Sequence, residues 1–192
     1  MREFIIYSQK ASTAPFIRDL KAAGRIDVLL HSIISALFAS NTFRDDVRLH
    51  LILMGPPNAP RHITIEYKEG NTISKKDMKK LLELCLRKAK NGETREVHAG
   101  VYVDDLTIDK LLEKFEGRNI FVLDQFGENI KEIKDKRIEI GEGVFVLGDH
   151  EGFDKQTKKF LKKNCVRMSL GKQMYFTSQA ITIINYEADN IL

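Results

Sequence analysis

Apolar and polar positions along this chain follow two periods, and each switch between them marks an element. Residues 4–7 (Phe-Ile-Ile-Tyr) read as a strand. After Gly24, the positions Ile26, Leu29, Leu30, Ile33, Ile34, Leu37 and Phe38 recur at helical spacing and predict a helix with a broad apolar stripe. Residues 47–54 alternate and stop at Gly55-Pro56-Pro57; residues 63–67 alternate and stop at Gly70-Asn71. Ser74 reads as a helix N-cap, with Met78, Leu81, Leu82, Cys85 and Ala89 as the inward stripe and Asn91-Gly92 as the stop. The second half predicts strands at 100–103, 119–123, 144–147 and 166–170, and helices at 106–115, 157–163 and 177–188. The polar stretch 125–143 reads as an elaborated loop or a weak hairpin. Strands alternating with helices specify an α/β layered sheet, parallel in the second half, and 192 residues suit a single domain with a substantial core.

Composition narrows the class of protein. The chain is 43% hydrophobic and 30% charged, ordinary for a globular protein. No apolar run reaches bilayer length, and the N-terminus runs into a strand without a signal-peptide layout, so a cytoplasmic location without membrane attachment is expected. Cys85 and Cys165 are widely separated and the five histidines are scattered, so no metal site is expected. A net charge of +4 is compatible with a polyanionic partner. Two lysine-rich helical segments, 75–90 and 155–163, can be solvated outer faces or RNA contacts.

Candidate chemistry gathers at strand ends. Residues 144–153 place a buried strand before a turn bracketed by Gly148 and Gly152, at the carboxyl edge where open α/β sheets bind ligands. This loop is neither a Walker A loop nor a dinucleotide fingerprint. Asp149 and His150 in it offer a base or a helix cap. Residues 169–175 form a second strand-end loop opening into the last helix, and residues 122–127 a third. Together they make a cleft suited to an adenosine, with main-chain groups for the base edge and Leu123 and Leu170 for its faces.

The motifs VFVLGDHEG, RMSLGKQMY and FTSQAITIINYEAD, in that order, resemble the C-terminal half of the SPOUT methyltransferases. MREFII at the start, GRIDVL at residues 24–29, RDDVRLHLILMGPPNAP at 44–60 and AGVYV at 99–103 narrow the resemblance to the archaeal TrmY family and its bacterial relatives. The match touches nearly the whole chain.

That resemblance implies a mostly parallel α/β sheet flanked by helices, with a deep C-terminal trefoil knot and a cofactor-binding region at about residues 118–192. It implies S-adenosyl-L-methionine as cofactor, a homodimer with interfacial active sites, and tRNA as partner, methylated on the first ring nitrogen of pseudouridine 54 in the T-loop. Another RNA position, or a non-catalytic RNA-binding role, are the alternatives. Carried over, cofactor contacts fall on Leu123, Gly148, Leu170, Gly171, Lys172, Gln173, Met174, Tyr175 and Ala180. Ala180 stands where the archaeal pattern has Cys, keeping a small apolar residue without the thiol. Arg25 and Asp27 are the candidates for gripping the base, an Arg donating to a carbonyl and a carboxylate accepting from a ring N–H. A surface Arg beside an Asp on the helix dipole is the other account of that pair. Arg44, Arg48, Arg61 and Tyr175 are possible RNA contacts.

Overall fold

The computed structural model describes residues 1–70, 73–135 and 140–190. Its centre is β1 (Arg2–Ser8), every residue of which is buried. Side chains alternate across it: Phe4 and Ile6 enter one apolar layer, Ile5 and Tyr7 the other. β1 pairs in parallel with β4 (Val47–Leu53) and with β9 (Val144–Gly148). Beyond β9 come β8 (Ile120–Asn129) and the edge strand β10 (Val166–Ser169), both parallel. Beyond β4 the sheet turns antiparallel through β5 (Arg61–Glu66), β7 (Val101–Asp104) and β6 (Arg95–His98). The order is β10-β8-β9-β1-β4-β5-β7-β6.

Helices cover both faces. One layer holds the inward stripes of α1 (Ile26–Leu37), α2 (Met78–Lys88), α4 (Ile130–Asp135) and α6 (Thr177–Asp189). The other holds α3 (Ile108–Glu113) and α5 (Lys155–Asn164). A minimal hairpin, β2 (Phe38–Ala39) and β3 (Thr42–Phe43), follows α1. Helix α6 packs Ala180, Ile181, Ile184 and Ala188 into the layer it shares with α1. The buried Arg2 guanidinium binds Asn185 and reaches Asp189 at 3.1 Å, while Asn185 Nδ2 donates to Ser35 O at 3.1 Å.

Three expectations need correction. The polar stretch 125–143 is neither loop nor hairpin at its start: β8 continues to Asn129 and passes into α4, while residues 136–139 lie outside the described ones. Its pairing to β10 is backbone pairing, which leaves no apolar alternation to see. Ser74 does not cap α2; its hydroxyl donates to Asp77 Oδ2 at 2.6 Å and residues 75–77 form a 3₁₀ turn first. The cap of α5 is Asp154, accepting from Gln156 N and Thr157 N, rather than Asp149 or His150.

The seam between the parallel and antiparallel halves carries a buried polar chain. Glu3 Oε2 meets His50 Nε2 at 3.1 Å, His50 Nδ1 meets His62 Nε2 at 2.9 Å, and His62 Nδ1 meets Asp104 Oδ1 at 2.8 Å. With a carboxylate at each end, both outer ring nitrogens donate, and the Thr64 hydroxyl lies 3.3 Å from each of the two inner ones. Burial, against the pull of Glu3, pushes the His50 pKa down to about 4 and keeps that ring neutral. Burial disfavours the charge of Glu3, but the His50 bond and the nearby Arg48 and Arg118 outweigh it and hold its pKa below the ordinary value. At Asp104, likewise, His62 and the Leu106 N–H outweigh burial.

All three lowered values have one sign. The unfolded chain binds protons first, so the stability these groups contribute is present above their ordinary pKa values and is lost as pH falls. For His50 the loss runs from 6.5 towards about 4; Glu3 and Asp104 add to it below 4.5 and 3.8. The urea midpoint should therefore decline steadily from pH 7 to 4.5, and replacing both histidines by glutamine should flatten that slope. A midpoint unchanged over the interval would refute the assignment.

Candidate functional site

The β8–β9 ladder ends at Val122↔Val146, whereas β9 goes on pairing with β1 as far as Tyr7↔Gly148. Past Val146 the strand therefore has a free edge. On its other side β8 pairs Val122 with Arg167 and next Glu128 with Met168, so residues 123–127 bulge out of the sheet. The bulge is fixed at both ends. Asp124 Oδ1 accepts from Phe126 N at 3.0 Å, and Oδ2 takes Arg167 Nε at 3.1 Å and Lys162 Nζ at 3.3 Å. Against a desolvation cost, these contacts bring the Asp124 pKa down to about 2. Gly127 returns the chain to the sheet so closely that a Cβ there would lie 2.6 Å from the Arg167 backbone.

Between the bulge and the ends of β9 and β10 lies a cavity of about 480 Å³, within the usual size of small-molecule sites. Every lining residue falls between Val122 and Ala180. The walls are largely apolar, with Leu123 and Leu147 on one side and Met168, Leu170 and Ala180 on another. Residues 148–152 turn tightly: a Cβ on Gly148 would meet Gly152 Cα at 2.6 Å, and Gly152 has φ +68°. Asp149 is buried there, bound to the Ser8 hydroxyl and, at 2.9 Å, to Glu151 N. Thr177 Oγ1 donates to Gly148 O at 2.8 Å and fixes the start of α6.

Of the residues expected at a cofactor site, Leu123, Gly148, Leu170, Gly171, Gln173, Met174, Tyr175 and Ala180 line this one cavity; Lys172 is exposed and does not. Arg25 and Asp27 do not line it either. They face each other at the start of α1, Arg25 Nε and Nη2 donating to the two Asp27 oxygens at 3.0 and 2.9 Å. Arg25 is left-handed (φ 61°), after Gly24 at φ 79°. Such backbone in a non-glycine residue is strained and needs support. Arg25 N donates to Lys21 O at 3.1 Å, and Gly24 admits no side chain because a Cβ there would stand 1.9 Å from Lys10 O. Segment 8–10 in turn binds the 148–152 turn: Gln9 Nε2 donates to Gly152 O at 3.2 Å and Lys10 Nζ meets Glu151 Oε1 at 2.7 Å.

Arg44, Arg48 and Arg61 are occupied internally, by Asp189, by Glu66 and Glu3, and by Asn91 and Pro60 O respectively. Phe153, at the end of the first strand-end loop, also lines the cavity, as do Lys158 and Lys162 of the lysine-rich segment expected as an outer face or an RNA contact; the sequence did not single out Leu161 or Thr177, which line it too. The amphipathic pattern of 155–164 carried the signal for Leu161. Among the described residues no group of His, Cys, Asp and Glu could hold a metal ion, and no helix is long and apolar enough to cross a membrane.

A crevice of this size where parallel strands part, lined by leucines and bounded by glycine turns, has the place and lining of a nucleoside-cofactor site in an α/β enzyme. Residues 1–191 match the family model described as "Putative SAM-dependent RNA methyltransferase", and the chain belongs to that family. It is 33% identical to a tRNA (pseudouridine(54)-N(1))-methyltransferase of Thermococcus onnurineus, covering 100% of this chain and 98% of the relative. It is 32% identical to the enzyme of that name from Methanosarcina acetivorans (98% and 91% covered) and 30% to that from Pyrococcus abyssi (100% and 98%). Among solved structures, Archaeoglobus fulgidus Nep1 bound to S-adenosylhomocysteine matches with TM-score 0.68 over 98% of this chain and 97% of that one. At 13% identity that likeness speaks for the fold alone, a SPOUT-type α/β sheet.

Gly127→Ala should force the Arg167–Met168 backbone aside. Thermal unfolding should register a loss of about 1–3 kcal/mol, the usual cost of overpacking. An unchanged melting temperature would mean that the bulge does not need this close approach.

Proposed function

We propose that the protein methylates the first ring nitrogen of pseudouridine 54 in the tRNA T-loop, with S-adenosylmethionine as methyl donor. The full-length likeness to relatives bearing that activity in their names carries the reading. The cavity fits the cofactor: leucines suit the faces of an adenine, free strand edges suit its rim, and Gly171, where a Cβ would meet nothing within 4 Å, leaves room beside them. Leu123, Gly148, Leu170, Gly171, Gln173, Met174, Tyr175 and Ala180 are the proposed cofactor residues. Lys172 is exposed and does not line the cavity, and is left out of that set.

Bound there, the cofactor supplies a methyl group already activated on a sulfonium. What falls to the protein is to hold the acceptor and exclude competing geometries. Arg25 and Asp27 are the proposed base-gripping pair. The Arg25 bond holds the Asp27 carboxyl below its ordinary pKa, so it is ionised at neutral pH and can accept from the ring N–H. The same lowering makes it a poor general base, so its part is orientation.

A homodimer completes the proposal. Phe126, Met174, Phe176 and Tyr186 are all more than 60% exposed, and the first two line the cavity. Covering them with a second copy would close the cavity mouth and bury its apolar rim. The chain is taken as one domain with a knotted cofactor region at about 118–192, acting in the cytoplasm.

Calorimetry should detect saturable S-adenosylmethionine binding; none at millimolar cofactor would overturn the enzymatic reading. With binding established, nucleoside mass spectrometry of tRNA carrying pseudouridine 54 should reveal 1-methylpseudouridine, and its absence would move the target elsewhere. Arg25→Lys and Asp27→Asn should each lower kcat/KM at least about tenfold through lost orientation, with cofactor affinity unchanged because neither lines the cavity. Ala180→Cys should leave cofactor affinity intact, whereas Ala180→Phe should abolish it by filling the wall.

A further inference from the structure

Midway along the segment joining β1 to α1 stands Phe16, with 64% of its surface exposed. Its exposure is built rather than incidental. The next residue, Ile17, is 3% exposed and anchors the segment in the core. Ile17 N donates to Glu83 Oε1 on α2 at 3.0 Å, and one turn further along α2 the Arg87 guanidinium lies over the Phe16 ring, 4.9 Å from its centroid. One ring face therefore rests on a cation, a contact that holds its orientation.

The surroundings are cationic. The segment and the side of α2 it rests on contribute Arg18, Lys21, Lys79, Lys80 and Arg87 against Asp19 and Glu83. Both carboxylates are engaged, Asp19 with the Lys21 and Ala22 N–H groups and Glu83 with Ile17 N and Lys79. Among the described residues neither Arg18 nor Arg87 enters an ion pair.

The position matters as much as the chemistry. The segment crosses the carboxyl ends of β1 and β4: Gly55 N donates to Ala11 O at 3.0 Å, and Thr13 Oγ1 to Gly55 O at 3.0 Å. Its first residues bind the 148–152 turn and its last present Arg25 and Asp27. Strands lie about 5 Å apart, so β9 and β4 are separated by about 10 Å. The segment that carries the stack thus also borders the 148–152 turn of the cavity.

We propose that the Phe16–Arg87 stack is a platform for an unpaired base of the RNA substrate, outside the cofactor cavity and the Arg25–Asp27 pair. This rests on the reading above only in taking the partner to be RNA. A pre-oriented aromatic face beside unpaired arginines is what a base and its phosphates require. A second copy of the chain is disfavoured here, because a two-fold contact would set this cationic patch against itself.

The test uses the full-length protein and a fluorescent tRNA transcript, with dissociation constants from anisotropy. Phe16→Ala should weaken tRNA binding about tenfold, within the range for loss of one stacked base. Phe16→Leu, which keeps apolar bulk without the π face, should behave likewise, and Phe16→Trp should bind as wild type. Cofactor affinity by calorimetry and melting temperature should stay at wild-type values in all three. Wild-type tRNA affinity in Phe16→Ala would overturn the proposal, as would a smaller assembly in sedimentation, which would make the patch an interface between copies. The two readings fail separately: a wild-type protein that binds tRNA through Phe16 yet leaves pseudouridine unmethylated overturns the activity alone, and methylation indifferent to Phe16 overturns the platform alone. A wild-type protein that does not bind tRNA overturns both.

Discussion

Parallel pairing between β8 and β9 lasts for only three residue pairs, and most of the site depends on where it stops. Had it continued past Val122↔Val146, Leu123 and Leu147 would have met as neighbours in a closed sheet and no crevice would exist. The bulge 123–127 keeps the strands apart, and its cost is met locally, by Asp124 gathering an N–H and two cations and by Gly127 admitting the Arg167 backbone. Cavity and bulge are thus one feature described from two sides.

The remainder of the sheet acts as a frame for that opening. β1 is paired on both edges, so its carboxyl end is a fixed point from which Ser8, Gln9 and Lys10 reach the 148–152 turn. The Glu3–His50–His62–Asp104 chain ties β1, β4, β5 and β7 across the change from parallel to antiparallel order. Buried polar groups of this kind add stability only when every member is satisfied. Here both carboxylates and all four ring nitrogens have partners, which fixes the register of four strands with side chains as well as backbone.

The sequence revealed elements that bury apolar side chains and concealed those made by backbone alone. The stripe of α1 and the continuous apolar run of β9 were visible because packing dictates residue type. β6, with Val97 as its buried residue, and the far half of β8, polar from Glu128 onward, were not. At the site, the three strand-end loops were readable from their glycines, and eight of the nine residues drawn from the family resemblance line a single cavity. The pairing of Arg25 with Asp27 was not, since the left-handed backbone of Arg25 that accompanies it is not announced by residue type. The histidines stood in plain alternation as polar positions, yet nothing in one strand says that the partner across the ladder is another imidazole.

The position of β1 also bears on how the chain reaches this state. Its ladder to β4 joins residues 45 apart, but its ladder to β9 joins Glu3 to Val144. On a ribosome the first strand made is therefore left with one naked edge until three quarters of the polypeptide has emerged, and the crevice cannot form before then. Contacts so distant in sequence are slow to close. The N-terminal half must meanwhile survive as an incomplete sheet whose central strand, buried at every residue in the finished fold, is exposed along one side, a stage at which chaperone capture or aggregation competes with folding.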